Sequence, residues 1–299
     1  MKAIMLADQN IKLNQSRFTI AGGMESMSNA PHYLTNSRIG TKLGDIKQID
    51  GMVHDGLWDV YNQVHMGTHG EGCSNKYNIT RTEQDSYAEL SYKRAQQAHE
   101  KGILANEICK LVDQKGNSID TSDEEPFRVD FEKMKKLKSV FKKDGTITAA
   151  NASTINDGAA VCLITSEEEA SKSACKSKAR IIDYSNFSHE PEWFTTAPVS
   201  AIKKLLDQND LTIQDIDLFE INEAFSVVPL VAIKELNLDI KKVNIHGGAV
   251  SLGHPIGSSG ARIVMSLING LKIKNKKLGI ASICIGGGEA TAMLIENII

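Results

Sequence analysis

Hydrophobic positions divide the chain into stretches of different texture. Met1, Ile4, Met5 and Ile11 recur at roughly helical spacing, which predicts a helix over residues 1–14. Phe18-Thr19-Ile20-Ala21 reads as a short strand that Gly22-Gly23 should stop. From about Glu25 to Lys143 charge rises and long apolar runs thin out. One helix stands out in that stretch. Thr80 is its N-cap, Glu83 completes a capping box, and Tyr87, Leu90, Ala95 and Ala98 continue the pattern. Beyond it, Ala159 to Ile164 is a buried-strand candidate. Alternation then sets in: strand Ala179 to Tyr184, helix Ser200 to Leu206, strand Ile216 to Glu220, helix Ala224 to Leu236, helix Gly260 to Leu271, strand Leu278 to Cys284, and strand Thr291 to Glu296. Such alternation predicts a layered α/β fold, with the polar stretch as a separate subdomain.

The pattern also repeats. Residues 1–21 fall on residues 261–281 without a gap, setting Lys2 on Arg262, Met5 on Met265, Phe18 on Leu278, Ile20 on Ile280 and Ala21 on Ala281. Both segments read helix, then strand. The later strands Asp157–Ile164 and Gly288–Ile295 also correspond, so a duplicated α/β unit is expected. The second unit has strand, helix and strand ahead of Ala261 from Ala179 onward, and the first has no counterpart ahead of Met1. The expectation is therefore a first half that is incomplete.

The 299 residues carry a net charge of −3, with 41% hydrophobic and 24% charged positions. These values exclude a disordered, collagen-like or generally basic, nucleic-acid-binding chain. No run of about 18 apolar residues predicts a membrane span, so no membrane partner is expected. Cys73, Cys109, Cys162, Cys175 and Cys284 are odd in number and form no Cys-x-x-Cys pair, which argues against a disulfide framework or a zinc site and for a reducing compartment. The start lacks the features of a signal or transit peptide, and Asn297-Ile298-Ile299 is not a Ser-Lys-Leu-type peroxisomal address.

Chemistry concentrates in four places. In Asn244–Arg262 five glycines surround Gly253-His254-Pro255, which should hold His254 in a tight turn before a helix capped by Ser258 or Ser259. A histidine fixed there suits a general base, although by itself a structural loop histidine is an equal reading. The glycine spacing matches neither a phosphate loop nor a dinucleotide fingerprint, so no nicotinamide or flavin is expected. Cys284-Ile285-Gly286-Gly287-Gly288 ends a strand, so Cys284 should face a site, with glycine N–H groups free to bind an oxyanion. Asn222, at a strand-to-helix junction, could orient a water or carbonyl, but taken alone it reads best as a helix cap. Arg128 and the lysines 133, 135, 136, 138, 142 and 143 form a basic stretch, either a solvated face or a seat for a phosphate.

Together these motifs resemble the thiolase family, over essentially the whole chain. The resemblance rests on Gly22-Gly23-Met24-Glu25-Ser26-Met27-Ser28, His65-Met66-Gly67, Asn151-Ala152-Ser153, Asn156-Asp157-Gly158, Asn222-Glu223-Ala224-Phe225, the Gly-His-Pro loop and the Cys-x-Gly-Gly-Gly turn. It implies a duplicated α/β/α/β/α fold: residues 1–24 and 149–168 in an N-terminal domain, 25–148 as an inserted coenzyme A-binding subdomain, and 175–299 as the C-terminal domain. The implied activity is acetyl-CoA C-acetyltransferase, condensing two acetyl-CoA to acetoacetyl-CoA or running the reverse thiolysis. His254 would activate a nucleophilic cysteine and line an oxyanion hole with a water held by Asn222. Cys284 would be the acid/base, and the N–H of Gly286 would serve a second oxyanion hole. Tyr92, Arg128, Val129, Asp130, Lys133 and Ser153 match coenzyme A-binding positions. Tyr92, Ala149, Ala150, Ala152 and Val250 match the potassium positions of the mitochondrial type.

A mitochondrial location, with the cytoplasm as alternative, and a homo-oligomer follow from the same resemblance. The family's nucleophile lies in a Cys-x-Ser-Gly motif that these 299 residues do not contain. A non-catalytic CoA-binding or partner-binding protein is the alternative reading. A ketoacyl synthase of the wider superfamily is disfavoured by Cys284.

Overall fold

The computed structural model describes residues 1–119, 122–173 and 177–298; Cys175 and Ile299 lie outside the described residues. Helix α1 (Lys2–Lys12) leads into strand β1 (Phe18–Ser26). Three short two-stranded ribbons and helices α2 (Met66–Tyr77), α3 (Arg81–Glu100), α4 (Glu125–Arg128) and α5 (Phe131–Met134) make up the polar stretch. Strand β2 (Asp157–Thr165), helix α6 (Glu167–Lys172), strand β3 (Ala179–Ser188), helix α7 (Ala197–Gln208), strand β4 (Leu218–Ile221) and helix α8 (Val227–Leu236) follow. The chain closes with α9 (Ala249–Leu252), α10 (Ile256–Ile273), β5 (Leu278–Ile285) and β6 (Glu289–Asn297).

The two repeated segments take the same form. In the first, β1 pairs antiparallel with β2, Phe18 opposite Thr165 and Ser26 opposite Asp157. In the second, β5 pairs antiparallel with β6 inside a four-stranded sheet of order β4-β5-β6-β3, where β4 and β5 alone run parallel. Helix α10 packs between this sheet and the β1–β2 ribbon, while α7 covers the opposite face of the sheet. Helices α1 and α10 meet at Gly260, where a Cβ would lie 2.2 Å from the Met1 nitrogen. One apolar core, with Phe219, Ile221 and Leu205, fills the α7–α8 side. Another, with Met5, Val264, Leu267 and Met293, fills the α1–α10 side.

Three expectations are corrected. Gly22-Gly23 does not stop β1, which continues to Ser26. A Cβ at Gly22 would lie 2.0 Å from the Ala160 carbonyl, and one at Gly23 1.9 Å from that of Gly257. The glycines admit a neighbouring strand and the start of α10, and the pairing they allow carries the strand through them. Helix α8 begins at Val227 rather than Ala224, because residues 224–226 bond to the 151–153 loop: Ser153 N donates to Ala224 O at 3.1 Å and Ser226 N to Asn151 O at 2.8 Å. Helix α10 begins at Ile256, with Pro255 in the N-cap position, so Ser258 and Ser259 lie within its first turn and are not caps. By contrast the capping box of α3 forms as expected, Thr80 N donating to the Glu83 carboxylate at 2.6 Å.

Candidate active site

His254 occupies the bend between α9 and α10. Gly253 enters it at φ +91°, a conformation open to glycine, and Pro255 fixes the exit. His254 N donates to Thr154 O at 3.1 Å, tying the bend to the 151–156 loop. The imidazole Nδ1 lies 2.6 Å from Ser259 Oγ, and that hydroxyl donates onward to Pro255 O at 3.0 Å. With its proton so committed, Ser259 accepts from His254, which assigns the ring proton to Nδ1. Nε2 is then the lone-pair nitrogen, and it accepts from Asn222 Nδ2 at 3.2 Å. Burial, reinforced by the Arg262 charge, pushes the imidazole down to about 4, so the ring is neutral at pH 7. A neutral imidazole with its lone pair on Nε2 is a base, and it becomes a donor there only after taking a proton.

Asn222 leaves the end of β4, its N–H donating to Ser282 O at 3.0 Å. It caps no helix, since α8 starts five residues on with Ser226 in the N-cap position. Its Oδ1 is buried and accepts from no protein group among the described residues, leaving an acceptor for a water or ligand.

Cys284 lies one residue before the end of β5. The expectation that it faces openly onto a site is corrected: it is buried in the core, opposite Ala290 of β6. Burial, with a small contribution from Cys73, pushes its thiol up to about 12. The glycines after it make the turn to β6, with φ of +98° at Gly287 and +93° at Gly288. Gly286 is exposed and faces Met66, whose Cε would lie 2.8 Å from a Cβ there.

On the other side of the site, Tyr92, Val250 and Met134 form a small cluster against which Val129, Phe131 and Ala150 pack. Burial pushes the Tyr92 hydroxyl up to about 12, and its ring stands edge-on to Phe131 at 6.4 Å. Asp130 caps α5, accepting from Glu132 N and Lys133 N at 3.0 and 3.1 Å. Arg128 is exposed and pairs with Glu124 and Glu125, and Lys133 lies 3.4 Å from Asp130. The basic stretch is thus largely a solvated face with local counter-charges. Ala149 is exposed, Ala152 bridges Phe225, and Ser153 is held by Ala224. The structure therefore gathers Tyr92, Val129, Ala150 and Val250, and spreads Arg128, Asp130 and Lys133 over an exposed surface beside them.

Several buried polar residues escaped the sequence reading. Ser259 was assigned to a cap. Glu223 passed unremarked, although a carboxylate within Ile221-Asn222-Glu223-Ala224-Phe225 is itself a sign of a buried polar centre. Asp59 and His69 form a buried pair at 2.6 Å, and donors from Tyr61 and Asn62 help hold the carboxyl down to about 2. Their ten-residue separation gives no periodic signal. Among the described residues no cluster of His, Cys, Asp and Glu could hold a metal ion, and no helix is long and apolar enough to cross a membrane.

Paired helix–strand units around a helical layer define a duplicated α/β protein, in which a loop histidine and a strand-end asparagine meet and a strand-end cysteine is buried. Residues 1–168 match the N-terminal domain of thiolase and residues 175–297 its C-terminal domain. The chain belongs to the thiolase family. It is 49% identical to the mitochondrial acetyl-CoA acetyltransferase of Mus musculus, the match covering 100% of this chain and 70% of that protein. It is 46% identical to a probable acetyl-CoA acetyltransferase of Dictyostelium discoideum, over 100% of this chain and 73% of that one. Among solved structures, a thiolase from Ascaris suum in complex with coenzyme A superposes with a TM-score of 0.93 at 44% identity, covering 99% of this chain and 76% of the other. The acetyl-CoA acetyltransferase of Bacillus anthracis gives 0.95 at 40% identity, covering 100% and 76%. The fold is the thiolase fold.

Proposed function

We propose that the chain acts on coenzyme A thioesters as an acetyl-CoA C-acetyltransferase by descent, handling acetyl-CoA and acetoacetyl-CoA. The observation that carries this reading is the His254 ring: neutral, oriented by Ser259 through Nδ1, and presenting Nε2 beside Asn222. His254 takes a proton from an attacking thiol. The resulting Nε2–H, with a water held at Asn222 Oδ1, then stabilises the thioester oxygen as it gains charge. Cys284 is the second proton carrier: it returns a proton to the carbon released on cleavage, or removes one in condensation, with Gly286 N–H at the second oxyanion. Burial keeps Cys284 protonated at neutral pH, the form required to protonate the departing carbanion.

Tyr92, Arg128, Val129, Asp130, Lys133 and Ser153 hold the coenzyme A moiety in this reading. A potassium ion belongs to the same reading: Tyr92, Ala150 and Val250 pack in one apolar cluster, and the main-chain carbonyls of Ala149, Ala150, Ala152 and Val250 are the hard oxygen donors that would hold it. It would stiffen the 149–153 and 249–252 segments. The mitochondrial names of the mammalian relatives support a mitochondrial location, and a homo-oligomer is what the family resemblance implies.

These 299 residues contain no Cys-x-Ser-Gly, and among the described residues no cysteine bonds His254. Ligand binding with no stable acetyl-enzyme, and no acetoacetyl-CoA cleavage by the chain alone without an added thiol, is therefore the expected behaviour of this chain. Calorimetry with coenzyme A at two ionic strengths should show binding that weakens with salt, because an anionic phosphate leans on exposed basic groups. Intact-protein mass spectrometry after acetoacetyl-CoA should show no added acetyl group. Absence of binding would overturn the reading of the site, and a stoichiometric acetyl adduct discharged by coenzyme A would overturn the expectation of no acetyl-enzyme.

A further inference from the structure

We infer that Glu223 is a positioning residue that couples ligand binding in the 25–148 subdomain to the His254–Asn222 pair. The inference rests on the reading of the site as a coenzyme A thioester site and extends it to a residue without direct contact with the reacting groups.

Glu223 is fully buried, and no cation pairs with it among the described residues. Four donors hold its carboxylate. Oε1 accepts from Tyr87 Oη and Asn244 Nδ2, each at 2.9 Å. Oε2 accepts from Ser91 Oγ at 2.8 Å and Val250 N at 3.1 Å. The donors come from two bodies: Tyr87 and Ser91 from α3 in the subdomain, Asn244 and Val250 from the loop that leads to His254.

The Tyr87 hydroxyl also accepts from Asn244 Nδ2 at 3.0 Å, which leaves its proton for Glu223; Ser91 Oγ accepts from Gly248 N at 3.2 Å, and its proton faces both Glu223 and Ser251 Oγ, the latter at 2.9 Å. Only an acceptor-only group satisfies all four. A Cβ at Gly248 would lie 2.4 Å from Glu223 Cδ, so the loop is shaped around the carboxylate.

Two short routes run from this centre to the site. Asn222, which bonds His254, is the preceding residue. Val250 lies four residues before His254, in the turn that ends at Gly253. On the ligand side, Tyr92 follows Ser91, and Gln96 of α3 donates to Pro126 O of α4 at 2.7 Å, holding the segment that carries Arg128 and Lys133. A shift of α3 on ligand binding therefore reaches Asn222 and the His254 bend through one carboxylate.

The test is nuclear magnetic resonance of the 299-residue chain with 15N-labelled histidine, the His254 ring signals being identified by their loss in His254→Ala. In the unmodified chain, saturating coenzyme A should displace the His254 signals. Glu223→Gln turns one donor-facing oxygen into an NH2 group. It should bind coenzyme A by calorimetry with the His254 displacement reduced more than twofold. Should that variant fail to fold, Ser91→Ala and Tyr87→Phe each remove one donor and should each reduce the displacement. An unchanged displacement in the folded variants overturns the coupling alone. Absence of coenzyme A binding in the unmodified chain overturns the reading of the site and the coupling with it.

Discussion

Ile20 and Ile280 occupy equivalent places in the two repeated units, yet Ile20 is 75% exposed and Ile280 is 0% exposed. Both follow an amphipathic helix and lie in a strand that pairs antiparallel with a later one. The difference is what stands on the far face. Strand β5 has α10 on one side and α7 on the other, whereas the β1–β2 ribbon has helices on one side and presents Ile20, Met24, Val161 and Leu163 outward on the other. A repeat in sequence thus specifies the element and its inward face, and leaves burial of the outward face to whatever packs there. The chemistry follows the same division: His254, Asn222 and Cys284 all belong to the fully packed unit, where burial lowers the pKa of His254 and raises that of Cys284.

The largest expected effect comes from truncating the two isoleucines. Ile280→Ala should cost about 2–5 kcal/mol, by lost burial and a residual cavity. Ile20→Ala should lie within about 0.5 kcal/mol, as for an exposed surface change. Urea denaturation of the two variants checks the pair, and equal costs would show that the ribbon's outer face is covered in solution.

Gly23→Ala comes next. Its Cβ would meet the Gly257 carbonyl, a backbone atom at the start of α10, so the ribbon must shift against the packed unit. A loss of about 1–3 kcal/mol is expected. An unchanged melting transition would mean that the two units are not seated against each other as described.

The smallest effect has the opposite sign. His246 is buried in the packed unit, and both its ring nitrogens lack a protein partner among the described residues. Burial, then the charges of Lys274 and Arg94, push it down to about 4. Between the unfolded value near 6.5 and 4 the unfolded chain holds a proton that the fold does not. Native stability is therefore full above about 6.5 and falls as pH drops toward 4. His254 acts in the same window with the same sign. His246→Leu should raise stability at pH 5 by about 1 kcal/mol and flatten that acid limb. Denaturation at pH 7 and pH 5 checks it, and a steeper limb would contradict the assignment.

Much of this was legible in the sequence because it depended on local signals. The capping box at Thr80, the alternation after Ala179 and the repeat each act within one or two elements. The thiolase motifs pointed to His254 and Asn222, and these two do meet. What stayed hidden depended on contacts distant in sequence. Gly22-Gly23 looked like a stop because the Ala160 carbonyl that requires it lies far along the chain. Ser259 looked like a cap because its bond to His254 needs the Gly-His-Pro bend already formed. Cys284 looked exposed because its burial comes from β6 and the core packed on β5, which the turn after it does not reveal. Glu223 was silent for the same reason, its four donors being spread from Tyr87 to Val250.

The central claim is that neutral His254 and protonated Cys284 form the acid–base pair for coenzyme A thioesters. Incubating the 299-residue chain with acetoacetyl-CoA and a small thiol, N-acetylcysteamine, tests it most directly. His254 Nε2 takes the thiol proton, the thiolate attacks the keto carbon, the carbon–carbon bond breaks and Cys284 protonates the departing carbanion. The products, S-acetyl-N-acetylcysteamine and acetyl-CoA, are measured by mass spectrometry in equal amounts. The account predicts thiol-dependent cleavage that falls at least about tenfold in His254→Ala and in Cys284→Ala. Cleavage no faster than in buffer, or cleavage indifferent to both substitutions, would contradict it.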